Sequence, residues 1–235
     1  MRSITSNWGS LFEIRLGWLR ELLDLQYRSI LLVMRAQLRQ ERVTNLRVLD
    51  VGSGNAPYRS LFSAAKEYVT LDPHSREADY RRQEDLPPGK QFDLILVVEV
   101  LEHVEAPAEL LRSLGTALAA DGRIWISVPF SARVHGAPRD YWRWTPDGMA
   151  KLVGSAGFEL VSLVPRGTDL SVLFSKLFFL FFRWSRRPLG FIPAMLLMAA
   201  TLPLLLPLAH LSLWLNLGSP EDPLGYFAVV GERHE

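Results

Sequence analysis

The stretch VLDVGSGNAPY (Val48–Tyr58) decides the fold of this 235-residue chain. It joins an apolar run, which is typical of a buried β-strand, to a turn that contains Gly52 and Gly54. Glycines leave such a turn open to a ligand that approaches the backbone, and its amide groups favour an anionic ligand group such as a carboxylate. Pro57 stands where the dinucleotide-binding fingerprint needs a third glycine, which disfavours a nicotinamide or flavin enzyme.

Predicted strands and helices alternate after this turn. Apolar runs predict strands at 46–51, 67–72, 92–100, 121–130, 158–165 and 225–232. Between them, helices are predicted near 58–66, 107–119 and 145–157. This alternation predicts an α/β fold with a Rossmann-like, doubly wound and mostly parallel sheet.

Composition narrows the class of protein. A net charge of +1 with 49% hydrophobic residues excludes a disordered chain and gives no electrostatic case for nucleic-acid binding. The chain has no cysteine, which excludes disulfides, thiolate nucleophiles and cysteine metal sites. The Asp and His residues show no convincing metal-ligand spacing, so we expect no metal.

Acidic residues follow the predicted strands. Asp72 ends the second strand, about twenty residues after the glycine turn, where a carboxylate can accept hydrogen bonds from ribose hydroxyls. The alternative for Asp72 is a turn cap before Pro73. Asp85, in the next loop, could accept a hydrogen bond from an adenine amino group or be an exposed loop acid.

Taken together, these pieces resemble the class I S-adenosylmethionine (SAM)-dependent methyltransferases, particularly the small-molecule group often called type 11. The matching stretches are VLDVGSGNAPY, TLDP, EDLPPGKQFDLILVVEVLEHV, GRIWISVPF and LVGSAGF, in family order between about residues 48 and 158. Two features depart from the family. Asn55 and Ala56 replace the usual third glycine of the first loop, and the third strand, around Asp79–Gln83, is poorly marked and lacks its helix.

The resemblance implies SAM as cofactor and assigns its contacts. Asp50, Gly52 and Gly54 would surround the methionine part, and Asp72 would hold the ribose. Asp85 would contact the adenine edge, and Glu99 would form the floor of the site near the methyl group.

Acceptor chemistry is expected in the loop after the fifth strand, PFSARVHGAPRDYWRWTPDG (129–148). Aromatic rings beside polar groups suit a sugar-like or ring-bearing acceptor, and arginines suit phosphate or carboxylate groups. The predicted acceptor-binding residues are Arg139, Tyr141, Trp142, Arg143 and Trp144. Alternatively, this is a structural loop whose tryptophans fill the core.

Methyl transfer to a hydroxyl requires a base. His135 is preferred, because an ordinary histidine pKa lies near neutrality, and His103 and Asp140 are the alternatives. A structural role at a helix start competes with a catalytic role for His103.

Segments near both ends of the chain have sequence features that are typical of membrane-binding helices. Residues 10–40 predict an amphipathic helix with a basic face, which either packs on the domain or lies on an anionic membrane. Near the C-terminus, the segment 189–220 has no charged side chain and is long enough for one crossing. The strands on either side of this insert must share a compartment, so a single crossing is excluded.

Two crossings are disfavoured. The first segment, Leu170–Phe182, falls about 10 Å short of a hydrocarbon core of about 30 Å. Arg183, Arg186 and Arg187 would also lie on the far side, against the positive-inside tendency. The prolines at 193, 203 and 207 predict a broken, re-entrant or surface-lying hairpin. We therefore favour monotopic binding at the cytoplasmic face over a two-pass insert, and the remaining alternative is an insert buried in a homodimer.

Four segments follow: an N-terminal helical region at 1–42, a SAM-binding core at 43–169, a hydrophobic insert at 170–218 and a final core strand at 219–235. The predicted function is methylation of a lipid-linked or amphiphilic acceptor, first a sugar hydroxyl of a glycolipid or polyprenyl-linked glycan. A quinone-like ring or a phospholipid headgroup is the next choice. A non-catalytic SAM-binding membrane scaffold stays open as a different class.

Overall fold

The structure is a computed structural model that describes residues 17–41, 45–136, 139–185, 187 and 190–232. The described residues form two compact units. The core unit comprises 31–164 and 226–232, and the second unit comprises 17–30 and 165–225. Residues 17–30 of the N-terminal helical region thus belong to the same unit as the apolar insert, whereas the segment boundaries at 42, 169 and 218 stay predictions.

A six-stranded sheet forms the centre of the core unit. Its strands are β1 (Arg47–Val51), β2 (Glu67–Leu71), β3 (Phe92–Val98), β4 (Leu118–Pro129), β5 (Phe158–Arg166) and β6 (Gly225–Glu232). The spatial order is β2-β1-β3-β4-β6-β5, and β1 pairs in parallel with β2 and β3, as β3 does with β4. The prediction of a Rossmann-like, mostly parallel sheet is confirmed.

This strand order places the ligand site. The chain leaves β1 toward β2 on one side and reaches β3 on the other side, so the connections diverge at the carboxyl end of β1. Open α/β sheets bind ligands in the crevice at such a switch point. The glycine turn begins at that point, directly after Val51.

The helices of the chain are α1 (Gly17–Leu23), α2 (Leu25–Glu41), α3 (Pro107–Gly115), α4 (Pro146–Ser155), α5 (Asp169–Ser185) and α6 (Phe191–Leu215). The predicted single helix at 10–40 is interrupted at Asp24, whose carboxylate accepts the N–H of Tyr27 at 3.2 Å in the manner of a helix N-cap. Its beginning lies outside the described residues. Ile30, Leu31 and Met34 of α2 are buried, which favours the packed-helix interpretation.

The predicted helix at 58–66 is wrong, because a single 3₁₀ turn at Arg59–Phe62 occupies this position. Only four residues separate this turn from β2, too few for a longer helix that must also reverse direction. The poorly marked third strand is reduced to one bridge between Leu71 and Tyr80. The N–H of Tyr80 donates to the carbonyl of Thr70, and the N–H of Asp72 donates to the carbonyl of Tyr80, each at 3.0 Å.

The second unit contains the apolar insert as the helical pair α5 and α6. The insert consists of two helices, but the breaks predicted at Pro203 and Pro207 are wrong, since α6 runs unbroken through both residues. Each proline removes one backbone hydrogen bond, and the surrounding turns hold the helix. Pro193 lies in the first turn of α6, where helical N–H groups need no partner within the helix. Within the described residues, α6 is the one helix long and apolar enough to cross a membrane.

Candidate active site

The glycine turn after β1 has the conformation that its sequence predicts. Gly52 has a φ of +66°, and its N–H donates to the carbonyl of Leu71 at 2.8 Å. A Cβ atom on Gly52 would collide with the side chain of Val100. Gly54 has a φ of +55°, and no described atom lies within 4 Å of the place where its Cβ would stand. The turn is therefore tight at Gly52 and open at Gly54.

Asp72 ties the glycine turn to the end of β2. One carboxylate oxygen accepts the N–H of Gly54 at 2.8 Å, and the other accepts the N–H groups of His74 and Ser75 at 2.7 and 2.9 Å. The turn-cap interpretation of Asp72 is thus present in the structure. A carboxylate has about four acceptor positions, so this one retains capacity for a hydrogen bond from a ligand hydroxyl.

Asp50 lies beneath the turn rather than in it. Its carboxyl is buried and accepts the hydroxyl hydrogen of Tyr68 at 2.6 Å. Burial raises the pKa of Asp50 to about 7, although the hydrogen bond from Tyr68 opposes the shift. This contact joins β1 to β2 below the predicted cofactor position.

Asp85 and Glu99, the two remaining acidic residues predicted to contact the cofactor, lie in different local structures. Asp85 closes the exposed 3₁₀ turn Gln83–Asp85, where its carboxylate accepts the N–H of Arg82 at 3.0 Å, as the loop-acid interpretation expects. Its contact with adenine stays a prediction. Glu99 follows β3 with a φ of +55°, and its Oε1 accepts the hydroxyl hydrogen of Ser127 at 3.1 Å. A left-handed conformation at a residue other than glycine is strained and is found preferentially at functional sites.

A carboxylate and two imidazoles meet beyond the ends of β3 and β4. The 3₁₀ turn Leu101–His103 follows β3 and carries Glu102 and His103, whereas His135 lies in the loop after β4. Nε2 of His135 lies 3.5 Å and Nε2 of His103 lies 3.7 Å from Oε1 of Glu102. The two rings pack edge to face with their centroids 4.9 Å apart.

Backbone carbonyl groups orient both rings. Nδ1 of His103 lies 2.6 Å from the carbonyl oxygen of Arg139, and Nδ1 of His135 lies 3.1 Å from that of Arg133. Because a carbonyl oxygen only accepts, each Nδ1 carries the hydrogen and each Nε2 faces Glu102. These three residues could also hold a metal ion, since their ligand atoms all lie within 4.8 Å of one another.

The sequence indicates no role for Glu102 and predicts no metal. The available signal was the adjacent pair Glu102–His103 after one parallel strand, together with a histidine after the neighbouring strand. The pKa of His135 reflects the cluster. Burial acts to lower it, but the proximity and negative charge of the Glu102 carboxylate prevail and raise the pKa above its ordinary value.

Asp140 and Arg143 hold the loop that carries His135. The guanidinium of Arg143 donates to both carboxylate oxygens of Asp140, at 2.6 and 2.8 Å, and to the carbonyl of Arg133 at 3.1 Å. Asp140 also accepts the N–H of His135 at 2.9 Å. Burial acts to raise the pKa of Asp140, but these hydrogen bonds prevail and lower it. This arrangement favours a positioning role for Asp140 over the predicted alternative role as base, and it engages Arg143 within the loop.

The aromatic residues of the loop separate into two groups. Trp144 is buried in the hydrophobic core, as the structural alternative expects. Tyr141 and Trp142 are exposed, and their backbone N–H and indole N–H donate to the carbonyl groups of Glu102 and Val104, respectively. Arg139 is also exposed. Of the predicted acceptor-binding residues, Arg139, Tyr141 and Trp142 therefore have exposed side chains.

Comparison with known proteins identifies the family. A family model described as a methyltransferase domain matches residues 20–163, more than half of the chain. The chain belongs to this methyltransferase family. It is an enzyme with SAM as cofactor. The site fits that cofactor, because Gly54 leaves an open cradle and Asp72 retains an acceptor position beside it.

One relative and two solved structures extend this assignment. The methyltransferase is 28% identical over 185 residues to the ubiquinone biosynthesis O-methyltransferase of Azorhizobium caulinodans, covering 64% of this chain and 71% of the relative. It resembles 1,6-didemethyltoxoflavin-N1-methyltransferase of Burkholderia thailandensis, solved with bound S-adenosylhomocysteine (TM-score 0.53, 17% identity, 91% and 80% of the two chains). It also resembles the [4+2]-cyclase SpnF (TM-score 0.52, 16% identity, 89% and 81%). At these identities, the structures show the shared fold alone.

Proposed function

We propose that this methyltransferase methylates a hydroxyl group on the polar head of an amphiphilic acceptor at a membrane surface. The observation that carries the proposal is the Glu102, His103 and His135 cluster, which offers a place to remove a hydroxyl proton. The name of the Azorhizobium relative, an O-methyltransferase, supports oxygen as the methylated atom.

The residues of the chain supply binding, alignment and proton removal. When bound, SAM supplies a methyl group on a positively charged sulfur. The acceptor oxygen forms a bond to the methyl carbon as the carbon–sulfur bond breaks and its electron pair stays on sulfur. We assign removal of the hydroxyl proton to Nε2 of His135, because the carboxylate of Glu102, 3.5 Å away, stabilises the resulting imidazolium. Proton removal of this kind contributes about 10²–10⁴-fold, and alignment supplies most of the remainder.

The exposed loop residues describe the head of the acceptor. Tyr141 and Trp142 present aromatic surface that can stack on a sugar or a phenolic ring, and Arg139 can pair with a phosphate or carboxylate. The first candidate for the methylated group, as predicted from the sequence, is a sugar hydroxyl. The name of the relative favours a phenolic hydroxyl of a quinone-type precursor as the second candidate.

The helical pair α5 and α6 supports a membrane location. Its exposed large apolar side chains include Leu173, Leu180, Trp184, Phe191, Ile192, Leu196, Leu204, Leu208, Leu211 and Trp214. Exposed apolar side chains in this number mark a segment that meets lipid or a partner protein. The cations Lys176, Arg183 and Arg187 belong to the same segment and complement anionic headgroups.

The length of α5 supports one-sided binding. The 17 residues of α5 span about 25 Å, less than the roughly 30 Å of a hydrocarbon core. Lys176 also lies in the middle of α5, where a crossing would bury its charge. We therefore propose monotopic attachment at the cytoplasmic face.

The test uses full-length protein in lipid nanodiscs and isotopically labelled SAM. The acceptors are a polyprenyl-linked phenol and a polyprenyl-linked sugar, each compared with its tail-less analogue. We expect a methyl ether on one of the tailed acceptors, and a slower reaction with its soluble analogue. His135→Ala should lower the rate by about 10²–10⁴-fold with SAM affinity intact, whereas the exposed control His74→Ala should not. Methylation confined to nitrogen or carbon atoms of a membrane extract would refute the proposal.

A further inference from the structure

We propose that Glu102, His103 and His135 form a binding site for a divalent cation that prefers imidazole and carboxylate ligands, such as Zn²⁺ or Mn²⁺. The cation would lie at the place where the acceptor hydroxyl reacts. Its catalytic role rests on the proposed function, but its binding does not.

The first observation is the state of Glu102. Its side chain is fully buried, and neither carboxylate oxygen has a hydrogen-bond partner among the described residues. The nearby imidazole nitrogens, at 3.5 and 3.7 Å, lie beyond normal hydrogen-bond distance. A buried carboxylate without hydrogen bonds is strongly unfavourable unless a cation compensates its charge.

The second observation is the orientation of the histidines. Each ring donates its Nδ1 hydrogen to a backbone carbonyl group, that of Arg139 or Arg133, and directs Nε2 toward Glu102. Histidines that bind metals almost always donate their other ring N–H in this way, which fixes the tautomer and leaves a lone pair for the ion. Two independent loop carbonyls therefore prepare two ligands for the same point.

A proton is the alternative occupant of the cluster. A protonated His135 would pair with one oxygen of Glu102, but it would leave the second oxygen and Nε2 of His103 unsatisfied. A single cation satisfies all three ligands together. A cation also accounts for the convergence of two imidazoles, which would repel each other if both were protonated.

Two of the three ligand separations are close to those around such an ion, and all three ligand atoms lie within 4.8 Å of one another. Ligands at about 2.1 Å from a tetrahedral Zn²⁺ lie roughly 3.4 Å apart, and the two nitrogen–oxygen separations are 3.5 and 3.7 Å. Three protein ligands leave a fourth position open, as in catalytic rather than structural zinc sites. The acceptor hydroxyl can take that position.

Binding of a cation changes the assignment of His135. As a ligand, His135 holds the ion and no longer takes the proton. The ion orients the acceptor hydroxyl and lowers its pKa, so the hydroxyl proton passes to solvent water as the oxygen–carbon bond forms.

The experiment measures binding directly. Full-length protein in detergent is treated with chelator, and Mn²⁺ is titrated while free Mn²⁺ is followed by electron paramagnetic resonance, with Zn²⁺ as competitor. We expect one site per chain. Glu102→Gln and His103→Ala should each weaken Mn²⁺ binding at least about 10–100-fold, whereas His74→Ala should leave it unchanged.

Three results discriminate the alternatives. Because Glu102 is buried, SAM affinity verifies the fold of each variant, and His103→Ala, at a partly exposed side chain, is a second test. An absence of Mn²⁺ and Zn²⁺ binding, or binding unchanged in both variants, would overturn the inference. Full methyl transfer by metal-free protein would overturn the catalytic role of the cation and leave the proposed function intact. A bound cation without transfer to either acceptor would support the site and remove the proposed function.

Discussion

Gly136 lies directly against the imidazole of His103, and a Cβ atom at position 136 would overlap the ring. The ring cannot withdraw freely, because Nδ1 of His103 is held by the carbonyl group of Arg139. The backbone at Gly136 has a φ of +61°, which also favours glycine. The loop after β4 thus positions a histidine that belongs to the turn after β3.

Gly136→Ala should therefore displace the His103 ring and lower the methylation rate by roughly 10- to 100-fold, with SAM affinity unchanged. Gly89→Ala is the matched control, because Gly89 has a φ of +74° and no described atom lies within 4 Å of the place where its Cβ would stand. Steady-state rates and calorimetric SAM affinities measure both effects. Equal losses in the two variants would show that backbone strain, rather than contact with His103, is responsible.

Asp72 should determine SAM affinity through the glycine turn. Asp72→Asn replaces one acceptor oxygen with a donor, which opposes either the N–H of Gly54 or the N–H groups of His74 and Ser75. We expect SAM binding to weaken by about 1–3 kcal/mol, as measured by calorimetry. Glu77→Gln, an exposed change in the same loop, removes an equal charge and should leave affinity intact. Similar losses in both variants would indicate a general charge effect.

Asp50 should make the stability of the protein depend on pH. Its pKa is raised from 3.8 to about 7 in the folded state, so its contribution to stability is full below about pH 4 and is lost as the pH rises through 7. Asp50→Asn mimics the protonated carboxyl and still accepts the Tyr68 hydrogen bond. It should raise the melting temperature at pH 8 by at least about 2–4 °C and have little effect near pH 4. Thermal unfolding followed by circular dichroism tests this, and an equal gain at both pH values would contradict it.

The exposed apolar face of α6 should mediate attachment to lipid. Changing Ile192, Leu196 and Leu204 together to Asn should release the protein from anionic vesicles in a flotation assay, with SAM affinity unchanged. The matched control changes Val134, Val161 and Val164 to Asn, because these exposed apolar residues lie outside the helical pair. A native chain that is a stable dimer without detergent and does not float with vesicles would instead support a homodimer interface.

Much of the core unit could be predicted, because the sequence patterns that mark its strands and helices are local. Buried parallel strands are continuous apolar runs, so β1 and β3 could be recognised directly. Thr145 caps α4 by accepting the N–H of Gly148, and Gly157 follows that helix with a φ of +90°. Such start and stop signals depend on a few neighbouring residues.

Two other elements, the turn at Arg59–Phe62 and helix α6, depend on tertiary surroundings that local sequence patterns do not indicate. The turn at Arg59–Phe62 stays short because β2 begins soon after it, and α6 continues through two prolines that predicted a break. In both cases, the geometry of neighbouring elements prevailed over local propensity.

For the site, the sequence by itself determined the glycine turn, the acid at Asp72 and the aromatic loop, because each is a short motif at a strand end. Only the tertiary structure decided that Glu102 and His103 meet His135, 32 residues beyond His103 along the chain. The physical reason is the parallel pairing of β3 with β4, which brings the carboxyl ends of two separate strands to one edge of the sheet. Spacing along the chain carries no record of that proximity.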